Sequence, residues 1–406
     1  MLSGGQVLAV AVPLLAAPIL GRLYLPSDYG VLGAYLAVSS VLAIVGNWQY
    51  SQGIIVEKRE NNALVLLQLC YVTSLLTALV SLAIGVGIVS YSTNALLGHR
   101  LWFLLLPLST FFAGVNGSRI ALLNRYKRYG KMATVQVTSS TATACLSIAL
   151  GLSGFGYNGL LMAHFVGQVL VFGIYWRLTS QLPQLAGFST PSRLLAMARK
   201  HRDFALFTTP GGFVGSVATQ LPIYALGFMG ATTTIGLFSR ARQLLEMPIM
   251  LIGSSISQVF RQQAAVEYAR VGNCKGIFLK ILFALSGIGL LPTIFLTIFA
   301  PQIFAWFLGP NWREAGEIAR VLSPMLYLRL MCSPLSSVYM IAGAQKEDFG
   351  LSIATLALVA VAVGLPFVNR RDSIDTIFGF STAYSIVYMV YLLRSYKLSL
   401  ARPLSS

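Results

Sequence analysis

Apolar stretches of about 20 residues recur about a dozen times along this chain, with only short polar breaks between them. A bilayer's hydrocarbon core is about 30 Å thick and takes roughly 20 helical residues to cross. Inside hydrocarbon the backbone must satisfy its own hydrogen bonds, so a stretch of this kind crosses as a helix. The expected spans are 2–20, 30–49, 64–89, 101–123, 135–152, 160–176, 204–227, 235–256, 277–299, 318–341, 351–367 and 374–393. With 56% hydrophobic and only 10% charged residues, 406 residues could not cover a soluble fold of this size. The expected fold is an all-α polytopic membrane protein with about 12 transmembrane helices.

A net charge of +17 would fit a nucleic-acid binder, but its distribution fits membrane orientation. With the N-terminus in the cytoplasm, 19 Lys and Arg residues fall in loops on the cytoplasmic side. Six fall opposite: Arg22, Arg100, Arg313, Arg320, Arg370 and Arg371. That bias obeys the positive-inside rule and places both termini in the cytoplasm of a bacterial inner membrane. Nucleic acid is not an expected partner. The opening segment lacks a basic n-region and a small-residue cleavage site, so it reads as the first span. Cys70, Cys145, Cys274 and Cys332 show no metal-ligand spacing, and no disulfide is expected.

The longest polar interruption is 177–203, with Pro183, Pro191 and five basic residues. It divides the chain into a six-helix bundle over 1–180, a basic cytoplasmic linker over 181–203, and a second six-helix bundle with a short tail over 204–406. The halves echo each other. Pro18-Ile19 matches Pro222-Ile223, Gly30 matches Gly236, Ser51-Gln52 matches Ser257-Gln258, and Tyr129-Gly130 resembles Phe349-Gly350. Six spans per half give both halves the same orientation. Two pseudo-symmetric bundles around a central cleft are therefore expected, as in many secondary transporters.

Charge inside a span is costly and marks candidate function. Arg240, Arg242 and Glu246 lie in the eighth span, Arg329 near the middle of the tenth, Arg119 in the fourth, and Arg22 closes the first. Arg240 sits roughly 8–10 Å below the outer end of its span and Glu246 roughly 17–20 Å below it. Arg242 and Glu246, four apart, share a face and can pair. Arg240 is about 200° away from Arg242 around the helix, with Gln243 on its flank, and is left to face the cleft. Arg329 reads as a solitary cation. Arg119, within two turns of its span's end, is expected to snorkel to the headgroups. Asp28 follows Pro26 at the start of the second span, where an acid caps the helix. A few fixed cations with almost no acid suit phosphate or pyrophosphate, which Arg grips bidentately. Enzyme chemistry has little support: His99, His164 and His201 are scattered, no Walker-type Gly-x-x-x-x-Gly-Lys occurs, and no cofactor is expected.

Two of these stretches resemble a known family. Pro18-Ile-Leu-Gly-Arg-Leu-Tyr-Leu-Pro-Ser-Asp-Tyr-Gly30, and Gly236-Leu-Phe-Ser-Arg through Pro248 to Ile256-Ser-Gln-Val-Phe260, resemble motifs of bacterial polysaccharide biosynthesis proteins of the Wzx flippase type. That family belongs to the multidrug/oligosaccharidyl-lipid/polysaccharide exporter superfamily. The resemblance implies a cationic cavity and alternating access. It also implies a cargo, an undecaprenyl-pyrophosphate-linked oligosaccharide of O-antigen, capsule or exopolysaccharide, turned from the cytoplasmic to the periplasmic leaflet. The implied partners are that lipid-linked oligosaccharide, membrane lipids, a polysaccharide polymerase and glycosyltransferases. The cavity positions it implies are Arg22 and Arg240 or Arg242; the charge reading adds Gln243 and Arg329, and Glu246, the acid deep in a span, is the ion-coupling candidate. Where many relatives carry an Arg-Tyr-Asp-like sequence at the end of the second span, this chain has Gln49-Tyr50-Ser51-Gln52. A multidrug exporter of the same fold would want an acid in the first or seventh span, and neither has one. A lipid II flippase asks for the same cavity but usually carries additional spans. A membrane glycosyltransferase or polymerase would need a long external loop.

Overall fold

The structure is a computed structural model describing residues 2–91, 101–183, 185, 187–369 and 372–400. His99, Arg100, Arg370, Arg371 and Arg402 of the sequence reading lie outside the described residues. Among those residues the regular structure is helical throughout, with no strand. Two compact units divide the chain, 1–233 and 234–406.

The first unit holds α1 (Leu2–Leu23), α2 (Pro26–Val45), α3 (Tyr50–Val56), α4 (Glu60–Tyr91), α5 (Leu106–Arg125), α6 (Tyr129–Leu152), α7 (Gly156–Ser180), α8 (Pro191–Lys200) and α9 (Thr209–Phe228). Within it α1 packs along α6, α4 along α5, and α7 against α5 and α6. Helix α9, which the sequence division at 181–203 assigns to the second bundle, packs against α2. Tyr224 there donates to the Ala37 carbonyl (2.9 Å), and Gln220 donates to Ser40 Oγ (3.0 Å). The second unit holds α10 (Thr232–Val271, its first two residues in the first unit), α11 (Lys275–Leu308), α12 (Arg313–Leu335), α13 (Val338–Ile341), α14 (Gln345–Val368) and α15 (Ser373–Leu400). Here α11 packs on α12, and α15 on α12 and α14.

Each expected span has its helix, and eight helices are long and apolar enough to cross a membrane on those grounds alone. Helices α9, α10 and α12 carry more polar residues and fall outside that group. Several boundaries differ from expectation: α11 runs on to Leu308, α12 ends at Leu335 with α13 separate from it, α15 runs to Leu400, and the second and eighth spans end elsewhere for a local reason. The second span ends at Val45, not at 49, because Trp48 and Gln49 adopt left-handed backbone (φ 50° and 56°). Such a conformation in non-glycine residues needs local support. Asn47 supplies it: its Oδ1 accepts from the Gln49 N–H (3.1 Å), and its Nδ2 donates to the Gly114 carbonyl (3.1 Å). The eighth span does not stop at 256. Helix α10 continues to Val271, because Phe260, Ala264 and Tyr268 recur every fourth residue and bury one stripe, with Phe260 edge-on to Phe278.

Arg119 does not snorkel. It is 5% exposed, its guanidinium carbon 3.7 Å from the Trp176 ring centroid and 5.4 Å from that of Tyr71, and it donates to Thr179. Two aromatic faces spread the charge where headgroup water does not reach. Close helix approach depends on glycine. A Cβ on Gly30 would stand 1.9 Å from the Thr232 carbonyl oxygen, and one on Gly316 would stand 2.3 Å from Pro301 Cα, so any side chain would drive apart α11 and α12.

Asp28 is a cap, as expected, and does more. One oxygen accepts from the Leu25 N–H (2.9 Å), and the other accepts from the Tyr157 N–H (3.0 Å) in the first turn of α7. A carboxylate at two helix N-termini satisfies orphan donors and meets both positive dipole ends. Asp28→Ala is expected to lose about 1–3 kcal/mol of stability, and Asp28→Asn about half of that. Thermal unfolding of the detergent-solubilised protein measures both.

Candidate functional site

The second unit gathers most of the charge that the sequence places inside spans. On α10, Arg242 Nε donates to Glu246 Oε1 at 3.0 Å, the pairing expected from their spacing. Arg329 on α12 donates to the same oxygen, so the cation read as solitary is the second partner of Glu246. One carboxylate thus serves two guanidiniums and leaves the cluster with a net positive charge of one. Sequence spacing could not reveal the contact, since 83 residues separate Arg329 from Glu246. All three side chains are partly buried, at 17%, 16% and 28% exposure for Arg242, Glu246 and Arg329.

The aromatic surround comes from α15 and α10. Tyr384 and Tyr388 pack with their rings tilted by 42° and centroids 5.6 Å apart, within electrostatic reach of Arg242, Glu246 and Arg329. Phe238 lies 5.9 Å beneath the Arg242 guanidinium and packs edge-on against Phe380. Neither tyrosine was legible as a site residue. Their only sequence signal is the four-residue spacing that puts both on one face of the last span.

Arg240 points away from this cluster, as its angular offset requires. It is 4% exposed, and its Nη1 donates to Oε1 of the exposed Gln243 at 3.0 Å. Arg22 is exposed in the last turn of α1, in the first unit. The structure therefore joins Arg242, Glu246 and Arg329 in one contact set, pairs Arg240 with Gln243 beside it on α10, and sets Arg22 in the other unit.

A second charged cluster, in the first unit, escaped the sequence reading. Glu57 closes α3 and is buried. Lys200 Nζ (2.5 Å) and His201 Nε2 (3.0 Å), from the far end of α8, both donate to its Oε2. Arg125 donates to the carbonyls of Glu57 and Ile54. Leu194 and Met197 of α8 pack on the first unit's core, so the basic linker is held by an apolar face and an ion cluster together. The Lys200 ammonium, opposed by burial and reinforced by His201, holds the Glu57 carboxyl down to about 2.

Solved membrane proteins share this fold. The chain aligns over 98% of its length with 88% of a lipid II flippase, MurJ, in an inward closed conformation, at TM-score 0.72 and 15% identity. It aligns over 97% of its length with 98% of an inward-facing multidrug resistance MATE family transporter of the MOP superfamily, at TM-score 0.64 and 15% identity. The fold is that of the MOP superfamily. Residues 19–317 match the family model of polysaccharide biosynthesis proteins, and the chain belongs to that family. A relative, the succinoglycan biosynthesis transport protein ExoT of Rhizobium meliloti (strain 1021), is 24% identical over 251 residues. The match covers 60% of this chain and about half of that protein's length (48%).

The Glu57 carboxyl, held below its ordinary 4.5, stabilises the fold fully above that pH. Its contribution is lost as pH falls from about 4.5 toward 2. The thermal midpoints of wild type and Glu57→Gln are thus expected to differ by a steady gap from about pH 5 to 8 that closes on acidification. A gap that ignores pH would contradict the ion cluster.

Proposed function

We propose that this protein is a flippase for an undecaprenyl-pyrophosphate-linked oligosaccharide, an O-antigen, capsule or exopolysaccharide unit. It carries the unit from the cytoplasmic to the periplasmic leaflet of the inner membrane by alternating access, with both termini in the cytoplasm. The observation that carries the proposal is the Arg242–Glu246–Arg329 cluster, with buried Arg240 beside it, inside helices of membrane-spanning fold. Two guanidiniums on one carboxylate leave a surplus of positive charge where the local dielectric makes each charge expensive. A diphosphate offers what that surplus lacks, and Arg forks match its oxygens bidentately.

Glu246 gives the cluster a release mechanism. While it is ionised, it competes with phosphate oxygens for Arg242 and Arg329. Glu246, the acid of this cluster, is therefore proposed as the ion-coupling residue. Arg22, exposed at the end of α1, is proposed as an outer contact for the anionic headgroup. The family, and the likeness to a succinoglycan biosynthesis transport protein and a lipid II flippase, support cargo drawn from lipid-linked saccharides. A polymerase and glycosyltransferases are the proposed functional partners. Drug export, the job of the MATE neighbour, is disfavoured by the acid-free first and seventh spans.

Loss of a charge-assisted pair costs about 1.5–3 kcal/mol, or about ten- to a hundredfold in affinity. Arg240→Ala and Arg329→Ala are accordingly expected to cut surface polysaccharide by at least about tenfold while lipid-linked units accumulate inside. Glu246→Gln should keep cargo binding and lose dependence on the proton gradient. Surface polymer at wild-type level in both arginine variants would remove the cluster from the transport path.

A further inference from the structure

The connections α3–α4, α5–α6 and α7–α8 meet at one end of the first unit. Tyr126 donates to Glu60, Lys131 Nζ donates to Gln181 Oε1 (3.4 Å), and Arg125 donates to the Glu57 carbonyl. No acid occurs between Glu60 and Asp203 in the sequence. Of the acids at this end, Glu57 is taken by Lys200 and His201, and Glu60 by Tyr126. Lys127, Arg128, Arg177, Arg193, Arg199 and Arg202 are exposed, and among the described residues none of them forms an ion pair. Exposed Asp203 stands alone against these six. So strong an excess of one sign attracts a polyanion.

The α7–α8 connection is built to stay in place. Gln68 of α4 spends both ends of its carboxamide on it: Nε2 donates to the Gly187 carbonyl (2.9 Å), and Oε1 accepts from the Ser189 N–H (2.9 Å). Phe188, held between those two bonds, is 65% exposed. Farther along, α8 turns Leu194 and Met197 into the first unit's core, and Lys200 with His201 grips Glu57. Arg193, Arg199 and Arg202 are left outside, together with Leu195, which is 51% exposed.

A phenyl ring whose backbone is pinned on both sides gains nothing from facing water. Apolar side chains interleaved with arginines fit the layer where hydrocarbon meets headgroups. Leu206 and Phe207, just ahead of α9, are exposed as well and continue that layer. A soluble acidic partner would answer the arginines but leave these side chains in water. We propose that the segment 187–202 docks on anionic phospholipid: its arginines take the phosphodiester groups, while Phe188 and Leu195 enter among the upper acyl carbons. The surface lies wholly in the first unit and rests neither on the cargo nor on the Arg242–Glu246–Arg329 cluster.

The test uses the full chain in nanodiscs of equal parts phosphatidylglycerol and phosphatidylcholine, one or the other carrying a diazirine high in its acyl chain. Labelled peptides are mapped by mass spectrometry. Phosphatidylglycerol should label 187–202 at least about tenfold more than phosphatidylcholine does. Combining Arg193→Gln, Arg199→Gln and Arg202→Gln should abolish that preference. Phe188→Ser should lower labelling by both lipids and keep their ratio. Unchanged labelling of 129–152 in every variant checks that each one folds. The inference is overturned if wild type labels equally with the two lipids, if the preference survives loss of all three arginines, or if Phe188→Ser labels like wild type. A segment that neither lipid labels, but that poly-glutamate shields from trypsin, would also overturn it and assign the surface to an acidic protein.

Discussion

Charge placed where water cannot solvate it is the constraint around which this molecule is organised. Isolated, a guanidinium or carboxylate at mid-span costs several kcal/mol, so each must find a partner or a use. The two units answer differently. Arg119 in the first unit is stacked between Trp176 and Tyr71 and donates to Thr179, an arrangement that absorbs its charge locally. In the second unit Glu246 is divided between Arg242 and Arg329, an arrangement that under-neutralises the pair. The first arrangement is structural; the second is the one proposed to meet an anionic cargo.

The repeat expected from the sequence sets two stretches side by side. An offset of 206 carries the broken stretch Gly46–Gln49 onto Ile252–Ser255, which is continuous helix in α10. In the first half the corresponding path is cut, and Asn47 mends the freed backbone. In the second half α10 is one helix of 40 residues that carries both the arginine cluster and the stripe that packs Phe260 and Tyr268 against α11 and α15.

Legibility followed what is local. Span number, the Asp28 cap and the Arg242–Glu246 pair rest on length, turn chemistry and four-residue spacing, and each was readable. Contacts across 83 residues, such as Arg329 to Glu246, or across 143, such as Lys200 to Glu57, leave no trace in spacing. The misjudged fate of Arg119 has the same origin, since depth along a helix says nothing of which aromatic faces lie beside it. The extension of α10 was missed because apolarity marks where lipid ends, whereas a helix ends only where its packing stripe does. The Gly46–Gln49 break was hidden because left-handed Trp and Gln lack the usual glycine signal.

The proposed cargo would meet the second unit through its diphosphate, at the guanidiniums that share Glu246. The most direct measurement is arginine footprinting with phenylglyoxal, resolved by residue, in the presence of geranylgeranyl diphosphate or geranylgeraniol. The diphosphate lipid should protect Arg242 and Arg329 from modification, and the alcohol should leave them as reactive as in the free protein. Equal reactivity of both arginines under all three conditions would contradict a diphosphate site at Glu246.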